Sequence, residues 1–150
     1  TGILVKGEPG VMVRMAKCCN PVPGDDIIGY ITRGRGVSVH RSDCTSLGHT
    51  PEDLERMIEV SWDESTSESF HVGIDIQAYD RPGILMEVMA VLSELKITIT
   101  NMNAKVIENT KNVIINIVVE IRDISQLDFV MTKLRRIREV YTVQRSKGGA

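Results

Sequence analysis

Four side chains with the chemistry of metal ligands fall within 27 residues: Cys18, Cys19, His40 and Cys44. Thiolate and imidazole are donors that zinc takes, and four of them close a structural site with no position left for water. The three cysteines are an odd number bunched together. They make no disulfide framework and read as reduced thiols of a cytoplasmic protein. Spacing leaves alternatives open. Neighbours in a strand point to opposite faces, so Cys18 and Cys19 both ligate only where the chain turns. Pro21 and Pro23 favour such an irregular backbone. Otherwise one of the pair is a buried apolar cysteine, and Asp43 is a candidate fourth ligand, or no metal binds. The spacing of His40 and Cys44 predicts one helical turn with both on one face. The same residues also suit a small Cys/His enzyme, with Cys19 as nucleophile and His40 as base.

Two further groups could bind ligands. Arg33-Gly34-Arg35-Gly36 offers two guanidinium groups and exposed amides to phosphate. Lys17, Arg33, Arg35 and Arg41 together make a modest basic face, the candidate contact for RNA. A tight hairpin turn explains the same glycines. Asp80-Arg81-Pro82-Gly83-Ile84-Leu85 joins a strand to a helix, where free N–H groups suit a carboxylate. Asp80 would accept from an α-ammonium group, with Asn101 and Asn103 adding polar contacts, so the set suits a free amino acid. A helix cap explains it too. His49 and His71 stand alone and read as surface or packing residues.

The elements that must position these groups follow from periodicity. With 150 residues, 42% apolar and 25% charged, the chain is one ordinary domain or two small ones. The polar run Trp62 to Ser69 reads as a linker. It divides the chain near residue 66 into parts 1–65 and 66–150. Residues 45–80 hold nine acidic residues against Arg56 alone, a solvated connector. No run is long enough to span a membrane, and no signal-peptide pattern opens the chain.

The first part reads as short strands: Val11–Met15, Ile27–Thr32, Val37–His40 and a closing strand Met57–Trp62. A short helix starts with Thr50 as N-cap, Pro51 at the first position and Asp53 at N3. Its few large apolar residues would make it marginal alone, so a metal staple would help it fold. The second part alternates at Val72, Ile74, Ile76 and Ala78. A helical stripe follows, Ile84, Leu85, Val88, Met89, Val91, Leu92 and Leu95. Next come strands from Ile97 and over Val113–Ile121, a helix capped at Ser125, and a strand Val140–Val143. The order is βαββαβ, a ferredoxin-like sandwich, and the whole is α+β. An RNA-recognition module shares that order, but Val113–Val119 has no aromatic residue on which bases could stack.

The run from Cys18 to Cys44 closely resembles the zinc-finger (conserved-cysteine) domain of long RelA/SpoT-type (p)ppGpp synthetase/hydrolases. The matching residues are Cys18-Cys19-Asn20-Pro21-Val22-Pro23-Gly24-Asp25, Gly29, Gly34-Arg35-Gly36 and His40-Arg41-x-Asp43-Cys44. The second part, with Asp80 to Leu85 in place, resembles the ACT domain that ends those enzymes. The resemblance implies a small zinc-stapled α/β domain followed by a βαββαβ ACT domain. It implies structural Zn2+ on Cys18, Cys19, His40 and Cys44. It further implies a catalytically silent regulatory region, since the family's catalytic domains lie N-terminal to these two. Ribosomal RNA and tRNA are the implied partners of the whole enzyme in amino-acid starvation. For the ACT part it implies homodimerisation and, in some members, a branched-chain amino acid at Asp80–Leu85 with Asn101 and Asn103. A stand-alone amino-acid-binding ACT homodimer with a zinc module is the alternative.

Overall fold

The computed structural model describes residues 2–8, 10–34, 36–64 and 68–147. The chain parts into two compact units, the first running to Glu68 and the second over Ser69–Ser146. The boundary expected near residue 66 lies among 65–67, outside the described residues, as does Arg35.

The first unit holds two small sheets. β1 (Ile3–Val5) pairs antiparallel with β6 (Val60–Trp62). β2 (Val13–Met15), β4 (Val37–Arg41), β3 (Ile27–Ile31) and β5 (Met57–Ile58) form the other sheet in that spatial order. β2 runs parallel to β4, and β3 is antiparallel to both its neighbours. Ile3, Val5, Val37, Val39 and Val60 make the core, with Val13, Met15, Ile27, Ile58 and Trp62 packed on it. Gly29 is needed there, because a Cβ would stand 2.8 Å from side-chain atoms of Val37, Ile58 and Val60. The single closing strand expected over 57–62 is two strands in two sheets. Ile3-Leu4-Val5 supplies the partner of the second. α1 (Pro51–Glu55) has the expected capping box: Thr50 Oγ1 accepts from the Asp53 N–H at 3.1 Å, and the Asp53 carboxylate reaches back to the Thr50 N–H.

The second unit has the expected βαββαβ order: β7 (Phe70–Tyr79), α2 (Ile84–Glu94), β8 (Ile99–Val106), β9 (Asn112–Ile121), α3 (Ile124–Arg135) and β10 (Val140–Arg145). The sheet order is β10-β7-β9-β8, antiparallel throughout. Alternate residues of β7 and β9 are buried, from Val72 to Ala78 and from Val113 to Ile121. Against them the helices bury Ile84, Val88 and Leu92, and Leu127, Val130, Met131 and Leu134. The α3 cap differs from the expectation at Ser125. Asp123 is the N-cap, its carboxylate accepting from the Gln126 N–H at 2.8 Å. Its extended backbone presents the carboxylate to the first turn, whereas Ser125 is already helical. β8 is an edge strand, exposed along almost all its length.

Candidate metal centre

Local backbone geometry brings the two adjacent cysteines together. β2 is followed by Ala16, whose N–H donates to Val39 at 2.9 Å. The chain then turns, closed by the Asn20 N–H donating to the Ala16 carbonyl at 2.9 Å. Asn20 ends the turn in the left-handed region with φ 44°. Asparagine tolerates that conformation better than most residues. The following loop is held by Asp25, whose carboxylate accepts from the Val22 N–H at 2.8 Å. His40 comes from β4 rather than from a helical turn with Cys44. Past Arg41 the chain folds back, and the Cys44 N–H donates to the Arg41 carbonyl at 3.0 Å. The expected shared helix face is absent because His40 is tied into the sheet opposite Ile28.

All four ligand atoms lie within 4.8 Å of one another. Cys18 Sγ is 3.5 Å from Cys44 Sγ, 4.0 Å from Cys19 Sγ and 3.4 Å from His40 Nδ1. Cys19 Sγ is 3.9 Å from the same nitrogen. Tetrahedral zinc, with bonds of about 2.3 Å to sulfur and about 2.0 Å to nitrogen, sets its ligands roughly 3.5–3.8 Å apart. The donor set fits that ion, and Asp43 is not among the four. Its carboxylate accepts instead from Arg41 at 2.8 Å.

Burial sets most of the protonation preferences in the cluster. Burial pushes the Cys19 thiol up to about 12, against the Arg41 N–H that donates to its sulfur. Burial also raises Cys18, helped by its neighbour Cys44. Burial acts upward on Cys44 too, but the Ser46 N–H and the thiols of Cys18 and Cys19 outweigh it and leave Cys44 below its ordinary value. His40 is lowered by burial. A thiol held protonated as strongly as Cys19 makes a poor nucleophile, which counts against the Cys/His enzyme.

The remaining candidates are dispersed. Arg33 pairs with Glu52 at 3.4 Å, and Arg41 lines an acidic groove with Asp25, Asp26 and Asp43. Lys17 lines a separate groove with Arg14, Ala16, Ser38 and His40. Arg14 and Ser38 escaped the sequence reading. The signal would have been the β2–β4 register, which sets them opposite each other.

In the second unit, Gly83 at φ 82° opens α2 without a side-chain cap, and the Asp80 N–H donates to the Lys111 carbonyl at 2.7 Å. Ile84 belongs to the core, Leu85 is half-buried and Pro82 is exposed. The Arg81 guanidinium is engaged by Glu87 at 3.0 Å and the Arg138 carbonyl at 3.1 Å, with Glu139 beside it. Asn103 stands opposite Asn116, itself opposite Asp75, four residues before Tyr79. Four strand residues span roughly 13 Å. Asn101, two residues further along β8, bonds its own neighbour's N–H at 2.9 Å. One chain therefore does not bring these asparagines to the Asp80–Leu85 turn.

Residues 3–63 match the RelA/SpoT RIS domain family, and residues 66–145 match the ACT domain family. The chain is similar to the bifunctional (p)ppGpp synthase/hydrolase RelA of Mycobacterium tuberculosis, 41% identical over 150 residues, covering 99% of this chain and 20% of that protein. It is also similar to the GTP pyrophosphokinase of Escherichia coli K12, 33% identical over 150 residues, covering 97% of this chain and 20% of that protein. Among solved structures it is similar to the ACT domain from GTP pyrophosphokinase of Chlorobium tepidum. There the TM-score is 0.48 and the identity 24%, over 53% of this chain and 100% of that one. The chain thus spans about a fifth of the length of the curated relatives it matches.

Proposed function

Because the chain belongs to the RelA/SpoT family, of which it carries the RIS and ACT domains, we propose that it is the non-catalytic regulatory portion of a (p)ppGpp synthetase/hydrolase. In this reading it controls catalytic domains elsewhere in the parent protein through contact with the ribosome and tRNA when amino acids run short. The observation that carries the reading is the RIS–ACT pair, with the ligand atoms of Cys18, Cys19, His40 and Cys44 within 4.8 Å of one another, a donor set compatible with a closed structural metal site. Cys18, Cys19, His40 and Cys44 would hold one Zn2+. The ion would supply a cross-link to a unit with a small aliphatic core. The test is co-sedimentation of the zinc-loaded chain with ribosomes carrying deacylated tRNA. Binding that is lost in Cys44→Ser is expected, and no pelleting at any salt concentration would sink the ribosome part.

A second role rests on the exposed β8 edge. An unpaired edge is a template for another strand. A second copy pairing antiparallel along β8 would carry its own Asn101 and Asn103 towards the first copy's Asp80–Leu85 turn. Such a homodimer completes an amino-acid site that one chain leaves divided. Branched-chain amino acids would be its ligands, with the exposed Pro82 and half-buried Leu85 as the apolar side chains they would meet.

A further inference from the structure

Beside the metal cluster a groove of about 410 Å³ is lined by Arg14, Ala16, Lys17, Ser38 and His40. It contains no carboxylate. Among the described residues neither Arg14 nor Lys17 has an ion-pair partner. Arg33 and Arg41 differ, since each is paired with an acid.

The elements impose this convergence. Arg14 of β2 stands opposite Ser38 of β4, and His40 lies two residues on, which keeps all three on one face of the sheet. Ser38 is a buried polar residue, 7% exposed, flanked along β4 by the buried Val37 and Val39. Its Oγ is 3.4 Å from His40 Nε2. The other ring nitrogen, Nδ1, faces the thiols of Cys18 and Cys19. The Ser38 hydroxyl can both donate and accept, so it can bond the imidazole and still face a ligand in the groove.

We propose that this groove binds a dianionic phosphate group, the terminal phosphate of a nucleotide or a free phosphate, through Arg14, Lys17 and the His40-backed hydroxyl of Ser38. The charge count selects the ligand. Two cations balance a phosphate monoester, which carries about −1.5 to −2 at pH 7. A backbone phosphodiester of RNA has one negative charge and leaves half of that potential uncompensated. Arginine adds the planar fork that suits phosphate oxygens. This site goes beyond the regulatory reading, and it stands or falls independently of ribosome contact.

The test titrates the zinc-loaded chain with pyrophosphate, GDP, ADP, guanosine and a short single-stranded RNA lacking terminal phosphates, followed by backbone amide shifts. Pyrophosphate and the diphosphates are expected to shift Arg14, Lys17 and Ser38, with Kd on the order of 1 mM for a partly exposed, screened site. Guanosine should leave them unmoved. A nucleotide that binds more tightly than pyrophosphate identifies the nucleotide as the source, and equal binding identifies the phosphate group alone. The exposed pair Arg14→Gln with Lys17→Gln should weaken binding by about tenfold or more with zinc content unchanged. Ser38→Ala should weaken it several-fold. No shift with any phosphate, an undiminished response in the double variant, or shifts produced by the RNA alone would each overturn the proposal.

Discussion

At Cys19 burial and metal chemistry pull in opposite directions. Its thiol is pushed up to about 12 by burial, yet a zinc ligand is a thiolate. Without metal, the folded first unit favours neutral Cys19 and neutral His40. The signs follow by linkage. For Cys19 the folded value is raised, so its contribution is complete below the ordinary value of 9.0 and is lost as pH climbs towards about 12. For His40 the folded value is depressed, so its contribution is present above the ordinary 6.5 and is lost as pH falls further. The metal-free unit should therefore be most stable between these limits. Thermal melts read at Trp62, the chain's one tryptophan, should give a maximum Tm between pH 6.5 and 9.0. A Tm that rises steadily through pH 10 would contradict the burial argument. Zinc would shift the balance, because it would bind the deprotonated thiols with an affinity that rises with pH.

Caps and turns set where each element begins, and here the structure corrected a local reading. Asp123 and Ser125 are both good capping residues two positions apart. The Asp123 side chain makes the bond to the Gln126 N–H, while the Gln126 side chain returns to the Arg122 N–H at 2.7 Å. Asp123→Ala should cost about 1 kcal/mol in urea unfolding of the second unit. Ser125→Ala should stay within about 0.5 kcal/mol. Equal losses would return the cap to Ser125. In the first unit, Gly29→Ala should destabilise by about 1–3 kcal/mol through overpacking, since its Cβ meets three aliphatic side chains at 2.8 Å. Periodicity alone could not foresee this, because the colliding residues come from β4, β5 and β6 rather than from Gly29's own strand.

The two units differ in what holds them together. The second buries its helices on an alternating sheet face and stands on apolar packing. The first, among its described residues, has a small aliphatic core around Val37 and Val39 and a four-residue Cys/His cluster. A strong zinc chelator should expose Trp62 to solvent and shift its fluorescence to the red, while the second unit keeps its amide dispersion. Unchanged Trp62 emission after complete metal removal would show that the ion is not the staple. If β8 edges pair, sedimentation should give a dimer that Met102→Lys weakens, and valine, leucine or isoleucine should tighten it. A monomer at all concentrations, with no response to amino acids, would remove the second role. Among the described residues, no helix is long and apolar enough to cross a membrane. The sequence by itself determined the donor inventory, the strand and helix periods of the second unit and their βαββαβ order, because these lie in spacings of two to four residues along one segment. The turn after Ala16 that brings the sulfurs of neighbours Cys18 and Cys19 into one cluster with His40 and Cys44 was decided by tertiary structure. So were the donors that met Lys17 and the separation of Asn101 and Asn103 from Asp80. Each depends on strand register between distant segments, which no local pattern of residues encodes.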